Sequence, residues 1–322
     1  MTPADLTKVL DELAEALALR PGARVGVVGR SAATSKVIGF LSSLGAYSRM
    51  TGLYAPDGDD AAGPAESGYV PFERLAADRP DMVVVADDAG KEALLMAMVP
   101  HLDPGTRIFL GGYGHLGFRD AVFARIVRDA LVPSLANGYP NCQIHLYQCL
   151  RSAARLGLKG VVAEFGMFRG GTTMLLSRFV EALGMDWKVI GFDTFNGFPP
   201  SRSILDLYRH PDCVFLDESA ARRYLEGRNV EIVAGDVVET VGRLATEEVV
   251  LAFVDTDNHA SASAILDVIA DRVAVGGAIV FDHWAGRDRF LYTVGERIAA
   301  SRLVDDRRYF NLHDTGVFPR VV

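Results

Sequence analysis

Apolar positions recur in two alternating patterns along this chain, and each pattern predicts a different element. Residues 6–19 carry apolar side chains every three to four positions and stop before Pro21, which predicts an amphipathic helix. Short unbroken apolar runs predict four buried strands, at residues 24–29, 47–54, 82–86 and 106–110. Helices are predicted between them at residues 35–44, 72–77 and 91–99, and a loop at 55–67. Strands that alternate with helices predict a small parallel sheet.

The same alternation restarts at residue 161 with longer strands. The predicted strands are residues 161–164, 188–192, 230–233, 249–254 and 278–281, and the predicted helices are 172–183, 237–244, 260–270 and 293–301. The segments 302–305, 309–313 and 316–320, with a short turn at 314–316, predict an antiparallel hairpin at the end of the sheet. We therefore expect a mostly parallel, Rossmann-like α/β domain with a terminal antiparallel hairpin.

The chain is long enough for more than one domain, since 322 residues exceed the usual single-domain size. Residues 121–136 and 143–156 have helical periodicity and are separated by a break at residues 137–140. We predict a small α/β auxiliary domain of Rossmann-like type at residues 1–120, a helical connection at 121–160 and the main domain at 161–322.

Composition narrows the possible partners. The formal net charge of −8 argues against a nucleic-acid backbone or an anionic membrane, and it favours a neutral or cationic ligand or a metal ion. No apolar run approaches the roughly 18 residues of a membrane span, and the N-terminus lacks the apolar core of a signal peptide. Three cysteines without a C-x-x-C pair fit a reducing compartment. A soluble cytoplasmic protein is expected.

A glycine-rich turn follows the first strand of the main domain. Gly166, Gly170 and Gly171 let the backbone turn sharply and approach a ligand, and the helix that starts near Thr172 offers free N–H groups. The spacing E-x-G-x-x-x-G-G from Glu164 matches neither G-x-G-x-x-G nor G-x-x-x-x-G-K-[ST]. This pattern indicates a nucleotide-type site but weighs against NAD and ATP.

Four strands of the main domain end in a carboxylate, namely Glu164, Asp193, Asp255 and Asp282. In open α/β sheets the ligand crevice lies beyond the carboxyl ends of the strands, so these acids should gather at one edge. Adjacent strands lie about 4.8 Å apart. Carboxylates at that spacing repel unless hydroxyls, amines or a cation stand between them.

An ordered set of motifs resembles one family. The motifs are Glu164–Gly171 (E-F-G-M-F-R-G-G), residues 191–199 (G-F-D-T-F-N-G-F-P), Gly235-Asp236 with Glu239-Thr240, Asp255-Thr256-Asp257, and Gly276-Gly277 leading to residues 281–284 (F-D-H-W). Together they resemble the macrocin O-methyltransferases, metal-dependent enzymes that use S-adenosylmethionine to methylate sugar hydroxyls on antibiotics and related natural products. The resemblance covers roughly residues 140–322 and implies a class I methyltransferase domain there.

The resemblance implies a set of residues that bind S-adenosylmethionine: Glu164, Gly166, Arg169, Gly170, Gly171, Thr172, Asp193, Thr194, Phe195, Gly235, Asp236 and Asp255. Asp193 would bind the ribose hydroxyls, although it could also be only a turn acid. Asp236 would lie beside the adenine, or it could be a helix N-cap with Glu239 completing a capping box.

Asp255 and Asp282 are the predicted ligands of a divalent metal ion. Two carboxylates from adjacent strand ends can hold a hard cation such as Mg²⁺ and leave positions for two substrate oxygens. The family has two successive acids at the second strand end, whereas this chain has Asp282-His283. His283 could ligate the ion and shift the preference toward Mn²⁺, or it could face inward and pack with Trp284.

Methyl transfer to an alcohol also needs a base, because an alcohol oxygen is a poor nucleophile until its proton is removed. Asp257 and His259, which follow Asp255, are the candidates. His259 could instead be a structural histidine at a helix start. The family usually continues after Asp257 with a tyrosine and a glutamate, and this chain has Asn258-His259, so its acceptor side has diverged.

Residues 199–227 lack strand periodicity and suggest a cover over the acceptor. Their aromatic and basic side chains would suit a glycosylated or anionic substrate: Arg202, Tyr208, Arg209, His210, Arg222, Arg223 and Tyr224. Arg222 and Arg223 are explained equally well by a solvated helix face.

The sequence thus predicts an S-adenosylmethionine-dependent, metal-assisted O-methyltransferase with a small-molecule acceptor and possible homo-oligomerisation. Two alternatives stay open. One is an NAD-dependent oxidoreductase that uses the first domain. The turn at residues 26–33 lacks two glycines of the dinucleotide fingerprint, which favours a scaffold or an oligomer contact for that domain instead. The other is a methyltransferase fold repurposed as a binding protein.

Overall fold

A computed structural model describes residues 2–57, 68–285 and 288–322. The chain divides into two compact units, Met1–Phe118 and Arg119–Val322. The predicted loop at residues 55–67 falls largely outside the described residues. Within the three described ranges, no helix has both the length and the apolar character needed to cross a bilayer.

The first unit is a parallel sheet with helices on both faces. Its strands are β1 (Val25–Val28), β2 (Met50–Ala55), β3 (Tyr69–Pro71), β4 (Met82–Val85) and β5 (Arg107–Leu110), and its helices are α1 (Pro3–Leu19), α2 (Ala32–Ser43), α3 (Arg74–Asp78) and α4 (Lys91–Met98). The strand order is β3-β2-β1-β4-β5, and all pairs are parallel. Both β1 and β4 are buried along their whole length, as expected for central strands covered on both faces. The short strand β3 was not predicted.

The turn after β1 is closed by hydrogen bonds within the first unit. Ser31 caps α2 by accepting from the N–H of Ala33, and its hydroxyl also donates to the carbonyl of Ala86 at the end of β4. Thr34 donates to the carbonyl of Gly29. These contacts give the turn a role in holding β1, β4 and α2 together.

The second unit contains the remaining elements. Its strands are β6 (Val161–Phe165), β7 (Lys188–Asp193), β8 (Val230–Ala234), β9 (Val249–Val254), β10 (Val273–Phe281) and β11 (Val317–Pro319). Its helices are α5 (Ala121–Arg128), α6 (Cys142–Arg155), α7 (Gly171–Ala182), α8 (Glu218–Tyr224), α9 (Val237–Thr240), α10 (His259–Ile269) and α11 (Val294–Ala300). The sheet order is β11-β10-β9-β6-β7-β8, parallel except for β11. The predicted Rossmann-like, mostly parallel fold is confirmed.

Two predicted elements of this unit differ in the structure. The helix predicted at residues 121–136 ends at Arg128, and the chain then runs irregularly through Pro133, which has no N–H to donate and disfavours helix in the residue before it. The strand predicted at 302–305 is replaced by a 3₁₀ turn at Ser301–Leu303 that continues α11. The terminal hairpin keeps β11 as one arm, and its other arm is reduced to a bridge between Tyr309 and Arg320.

The direction in which successive strands are added to the sheet changes between β6 and β9. From β6 the chain adds β7 and β8 on one side, and it then crosses back to add β9 and β10 on the other. Loops at the carboxyl ends of β6 and β9 therefore leave in opposite directions and open a crevice, which is where open α/β sheets bind ligands.

Candidate active site

A cavity of about 360 Å³ lies at this crevice, within the second unit. Its wall combines the turn after β6, the ends of β7, β9 and β10, and the irregular segment after α5. The predicted site residues that line it are Gly166, Arg169, Gly171, Thr172, Asp193, Thr194, Gly235, Asp255, Asp257, Asp282 and His283. Of the predicted site residues, Glu164, Gly170, Phe195, Asp236 and His259 do not line this cavity in the described part of the chain.

The glycines of the turn after β6 are required by close packing. Gly166 has φ +90°, and a Cβ atom there would lie 2.1 Å from the carbonyl oxygen of Asp255. A Cβ atom on Gly171 would lie 2.4 Å from the carbonyl oxygen of Pro133. Both distances are far below van der Waals contact, so side chains at these positions would force the neighbouring backbone away from the cavity.

Glu164 lies behind the turn rather than in the cavity wall. Its carboxylate is buried, and Oε2 accepts a hydrogen bond of 2.5 Å from the hydroxyl of Thr173 on α7. Burial raises the pKa of Glu164 to about 8, against the opposing effect of the Thr173 hydrogen bond. The structure therefore joins this predicted cofactor residue to the first turn of α7.

Asp193 both holds a turn and faces the cavity. Its Oδ2 accepts from the N–H of Phe168 at 2.7 Å, and its Oδ1 accepts from the N–H of Phe195 at 2.8 Å. Burial raises the pKa of Asp193, and these two N–H groups oppose that effect. Each carboxylate oxygen can accept a second hydrogen bond, so Asp193 keeps acceptor capacity for ligand hydroxyls.

Asp236 has two partners inside the protein. Its Oδ1 caps α9 by accepting from the N–H of Val238 at 3.0 Å, and its Oδ2 lies 2.7 Å from Nη1 of Arg202. Glu239 contacts the same guanidinium, with its Oε1 3.1 Å from Nη2 of Arg202. The sequence had offered Glu239 as the second member of a capping box with Asp236. Asp236 therefore caps α9 and contacts Arg202, and its place beside a bound adenine stays a prediction.

Asp255, Asp282 and His283 form the predicted cluster of ligand groups. One oxygen or nitrogen atom from each lies within 4.8 Å of the other two. The ring of His283 faces acids on both sides. Its Nε2 lies 3.4 Å from Asp257 and 3.7 Å from Asp282, and its Nδ1 lies 3.5 Å from both Asp255 and Glu296. His283 lines the cavity, and Trp284 meets the ring of Phe318 edge-on with the centroids 4.9 Å apart.

Backbone N–H groups from a distant loop orient Asp282. Its Oδ1 accepts from Asn137 at 2.6 Å and from Gly138 at 2.7 Å, which leaves Oδ2 facing His283. Burial raises the pKa of Asp282, whereas the two N–H groups stabilise its charged form. The sequence had indicated only a helix break at these residues, so this contribution to the site was missed.

The cluster concentrates negative charge in a buried place. Burial, and next the neighbouring Asp282 carboxylate, raise the pKa of Asp255 well above its ordinary value. Burial alone would lower the pKa of His283, but its hydrogen bond with Glu296 and the charges of Asp255 and Asp257 raise it well above its ordinary value. Such a cluster is relieved by a cation among the acids. Two carboxylates and an imidazole are donors that suit Mn²⁺ or another transition ion as well as Mg²⁺.

The two candidate bases lie in different surroundings. Asp257 lines the cavity, has φ +63°, and has a pKa raised to about 7 by burial. His259 is the first residue of α10 and does not line the cavity; its buried Nδ1 has no hydrogen-bond partner among the described residues. Of the two candidate bases, Asp257 therefore lies beside the cluster of Asp255, Asp282 and His283, and His259 does not line the cavity.

The predicted cover is attached to the start of α10. The side chain of Asn258 accepts from the N–H of Tyr208 and donates to its carbonyl, both at 3.0 Å. Asp206 accepts from the N–H groups of Ala260, Arg202 and Ser203 at 2.8 to 2.9 Å. These contacts place the side chain of Tyr208 in the cavity wall.

The basic side chains of the cover do not line the cavity in the described residues. Arg202 contacts Asp236 and Glu239, Arg209 donates to the carbonyl of Pro199, and Arg222 pairs with Glu218. The expectation that they would face an anionic acceptor therefore has no support from their positions.

The comparisons with known proteins concern this second unit. Residues 142–297 match the sequence profile of the family described as Macrocin-O-methyltransferase (TylF). The chain is 26% identical over 155 residues to the Mycinamicin III 3''-O-methyltransferase of Micromonospora griseorubida, a match that covers 44% of this chain. It spans 61% of the length of that relative. The family resemblance carried by the sequence motifs is thereby confirmed for this part of the chain.

Two solved structures are also similar. The O-methyltransferase NovP shares 22% identity, with 56% of this chain and 78% of that chain covered and a TM-score of 0.46. The calicheamicin methyltransferase CalS11 shares 20% identity, with 66% of this chain and 97% of that chain covered and a TM-score of 0.43.

Proposed function

We propose that this chain, which is macrocin O-methyltransferase-like over residues 142–297, transfers the methyl group of S-adenosylmethionine to a hydroxyl of a sugar or another small natural product. We propose further that a divalent cation assists the transfer. The observation that carries the proposal is one cavity that holds both a glycine turn with Asp193 and the cluster of Asp255, Asp282 and His283. The sugar hydroxyl is suggested by the name of the mycinamicin relative.

The cofactor would occupy the end of the cavity between the turn after β6 and Gly235. Gly166 and Gly171 keep this end free of side chains, and Asp193 offers acceptors for the vicinal hydroxyls of a ribose. Thr172 at the start of α7 and Thr194 after β7 also line it. Glu164 supports this end from behind through Thr173.

Asp255, Asp282 and His283 would hold the cation in the same cavity. When bound there, a divalent cation would polarise the acceptor hydroxyl and lower its pKa. The carboxylate of Asp282 is fixed by two N–H groups, so its free oxygen is preorganised toward the cluster. Tyr208 and Asp257 would then flank the acceptor.

The reaction proposed is a single displacement. The sulfonium supplies an electrophilic methyl group, so the protein must align the acceptor oxygen and receive its proton. A carbon–oxygen bond forms as the carbon–sulfur bond breaks, and the hydroxyl proton passes to the carboxylate of Asp257. The products are a methyl ether and S-adenosylhomocysteine.

Two variants test the proposal. Asp255→Ala and Asp282→Ala should abolish methylation of hydroxylated sugars and weaken binding of Mg²⁺ or Mn²⁺, with the affinity for S-adenosylhomocysteine largely kept, as measured by calorimetry. Crystals grown with S-adenosylhomocysteine and Mg²⁺ would locate both ligands. Full turnover in both variants would exclude cation assistance, and a donor that lodges outside the cavity or fails to bind would exclude methyl transfer at this site. Tight cofactor binding without any methylated product would favour a binding protein instead.

A further inference from the structure

We infer that Glu296 is a positioning residue that fixes the two loops carrying the acids and the histidine of the proposed active site. The inference rests on the function proposed above and extends it to a residue outside the cavity wall. Glu296 lies on α11, about 40 residues after the loop that follows β9, and its side chain has no exposed surface.

The two oxygens of Glu296 contact two different loops. Oε2 accepts from the N–H of Thr256 at 2.8 Å and from the N–H of Asp257 at 2.9 Å, in the loop after β9. Oε1 accepts from the N–H of His283 at 3.2 Å, in the loop after β10, and lies 3.5 Å from Nδ1 of the same residue. One carboxylate thus joins the ends of two neighbouring strands.

A fully buried carboxylate is costly unless hydrogen bonds compensate for lost hydration. Here the compensation comes from three backbone N–H groups and from the hydroxyl of Thr256 at 3.3 Å from Oε2. Hydrogen bonds to an ionised acceptor are short and directional, so they restrain the backbone that donates them. Backbone restraint is therefore the direct physical result of placing an acid at this position.

The restraint acts where the backbone needs it. Asp257 has φ +63°, a conformation that non-glycine residues seldom adopt without support. Its N–H is held by Glu296, and its carboxylate lies 3.4 Å from Nε2 of His283. Glu296 also stands behind the histidine ring, as carboxylates do behind many histidines that ligate metals. Loss of Glu296 should therefore loosen the geometry of Asp257 and His283 together.

Two substitutions separate the contacts. Glu296→Gln keeps a carbonyl that can accept from Thr256 and Asp257, but its amide N–H₂ would face the N–H of His283. Glu296→Ala removes all of these contacts. We expect binding of Mn²⁺ alone, measured by calorimetry, to weaken about tenfold in the first variant and toward 100-fold in the second, the range found when a residue behind a metal ligand is removed. kcat should fall in parallel.

Binding of S-adenosylhomocysteine and KM for the acceptor should change by less than about threefold, because Glu296 does not line the cavity. Glu226→Gln, at an exposed acid of the same unit that does not line the cavity, is the matched control and should leave all four quantities unchanged. If Glu296→Ala fails to fold, Glu296→Gln carries the test, since it keeps the volume and two hydrogen bonds.

The inference is overturned if folded Glu296→Gln binds Mn²⁺ and turns over like the wild type. It is also overturned if Mn²⁺ and S-adenosylhomocysteine affinities fall equally, because that indicates general loss of structure. Failure of the wild type to methylate any sugar would refute the proposed function alone, since the Mn²⁺ measurement is independent of turnover.

Discussion

The carboxylate of Asp282 accepts a hydrogen bond of 2.7 Å from the backbone N–H of Gly138, which lies 144 positions earlier in the chain. The two backbones are so close that a Cβ atom on Gly138 would lie 2.8 Å from the carbonyl oxygen of Asp282. Orientation of this site acid therefore depends on the absence of a side chain in a distant loop.

We predict that Gly138→Ala weakens Mn²⁺ binding and lowers kcat by about tenfold or more. The new methyl group must push residues 137–138 or the end of β10 away, which breaks the hydrogen bonds that orient Asp282. Calorimetry with Mn²⁺ and steady-state kinetics measure the two effects.

Gly242→Ala is the matched control, because Gly242 lies in the same unit and a Cβ atom there would meet nothing within 4 Å. It should leave both quantities unchanged. Equal effects of the two substitutions would mean that the loop at residue 138 has no special role in the site.

We predict that Asn258→Ala raises KM for the acceptor and leaves cofactor affinity unchanged. The substitution removes the two hydrogen bonds that hold the backbone of Tyr208, each worth about 1 kcal/mol. A looser cover should raise KM by roughly tenfold. It should also speed proteolysis between residues 199 and 217.

Asn229→Ala is the control for this change, since the amide of Asn229 also bonds one carbonyl, that of Asp186, but lies away from the cavity. An unchanged KM in Asn258→Ala would show that the cover is held by other contacts, such as those of Asp206.

The alternation of apolar runs was enough to predict both sheets apart from the edge strand β3. The rule that ligands bind at carboxyl strand ends brought Asp193, Asp255 and Asp282 together correctly. Glu164 does not line the cavity, and its predicted contact with the cofactor stays a prediction. Strand β6 is buried on both faces, so its sequence carries no alternation that tells which face a given side chain occupies. Glu164 turns toward α7 and Thr173 instead of the cavity.

Residues that support the site from outside were not predictable. Glu296 and Gly138 contact the cluster through backbone groups, and their partners are tens to more than a hundred residues away. No local pattern encodes such a contact. The only available signal for Glu296 was a lone acid inside the apolar face of a helix, which ordinary amphipathic helices also show.

We predict that Glu164→Gln makes the second unit more resistant to unfolding at high pH relative to the wild type. The pKa of Glu164 is raised from 4.5 to about 8 in the folded protein, so between those values the folded state binds the additional proton. Stability of the wild type therefore falls as pH rises through this window, by at most about 1.4 kcal/mol per pH unit from this group. A glutamine side chain does not titrate, so the variant lacks this pH dependence of the unfolding free energy.

The comparison is best made by urea unfolding at pH 5.5 and pH 8.5 without cofactor. Both tryptophans, Trp187 and Trp284, lie in the second unit, so their fluorescence reports its unfolding. The difference in unfolding free energy between the variant and the wild type should shift by about 2–4 kcal/mol between the two pH values. A constant difference would mean that Glu164 titrates near its ordinary value.

We predict that Asp257→Asn abolishes most turnover whereas His259→Asn does not. Asp257 lines the cavity beside the cluster, and a general base of this kind contributes roughly 10²–10⁴-fold to a rate. His259 lies outside the cavity, so its loss should change kcat by less than about fivefold. Single-turnover methylation with saturating S-adenosylmethionine measures the chemical step directly, and calorimetry checks that both variants still bind S-adenosylhomocysteine. The reverse order of effects would assign the base to His259 and require α10 to rotate toward the acceptor during catalysis.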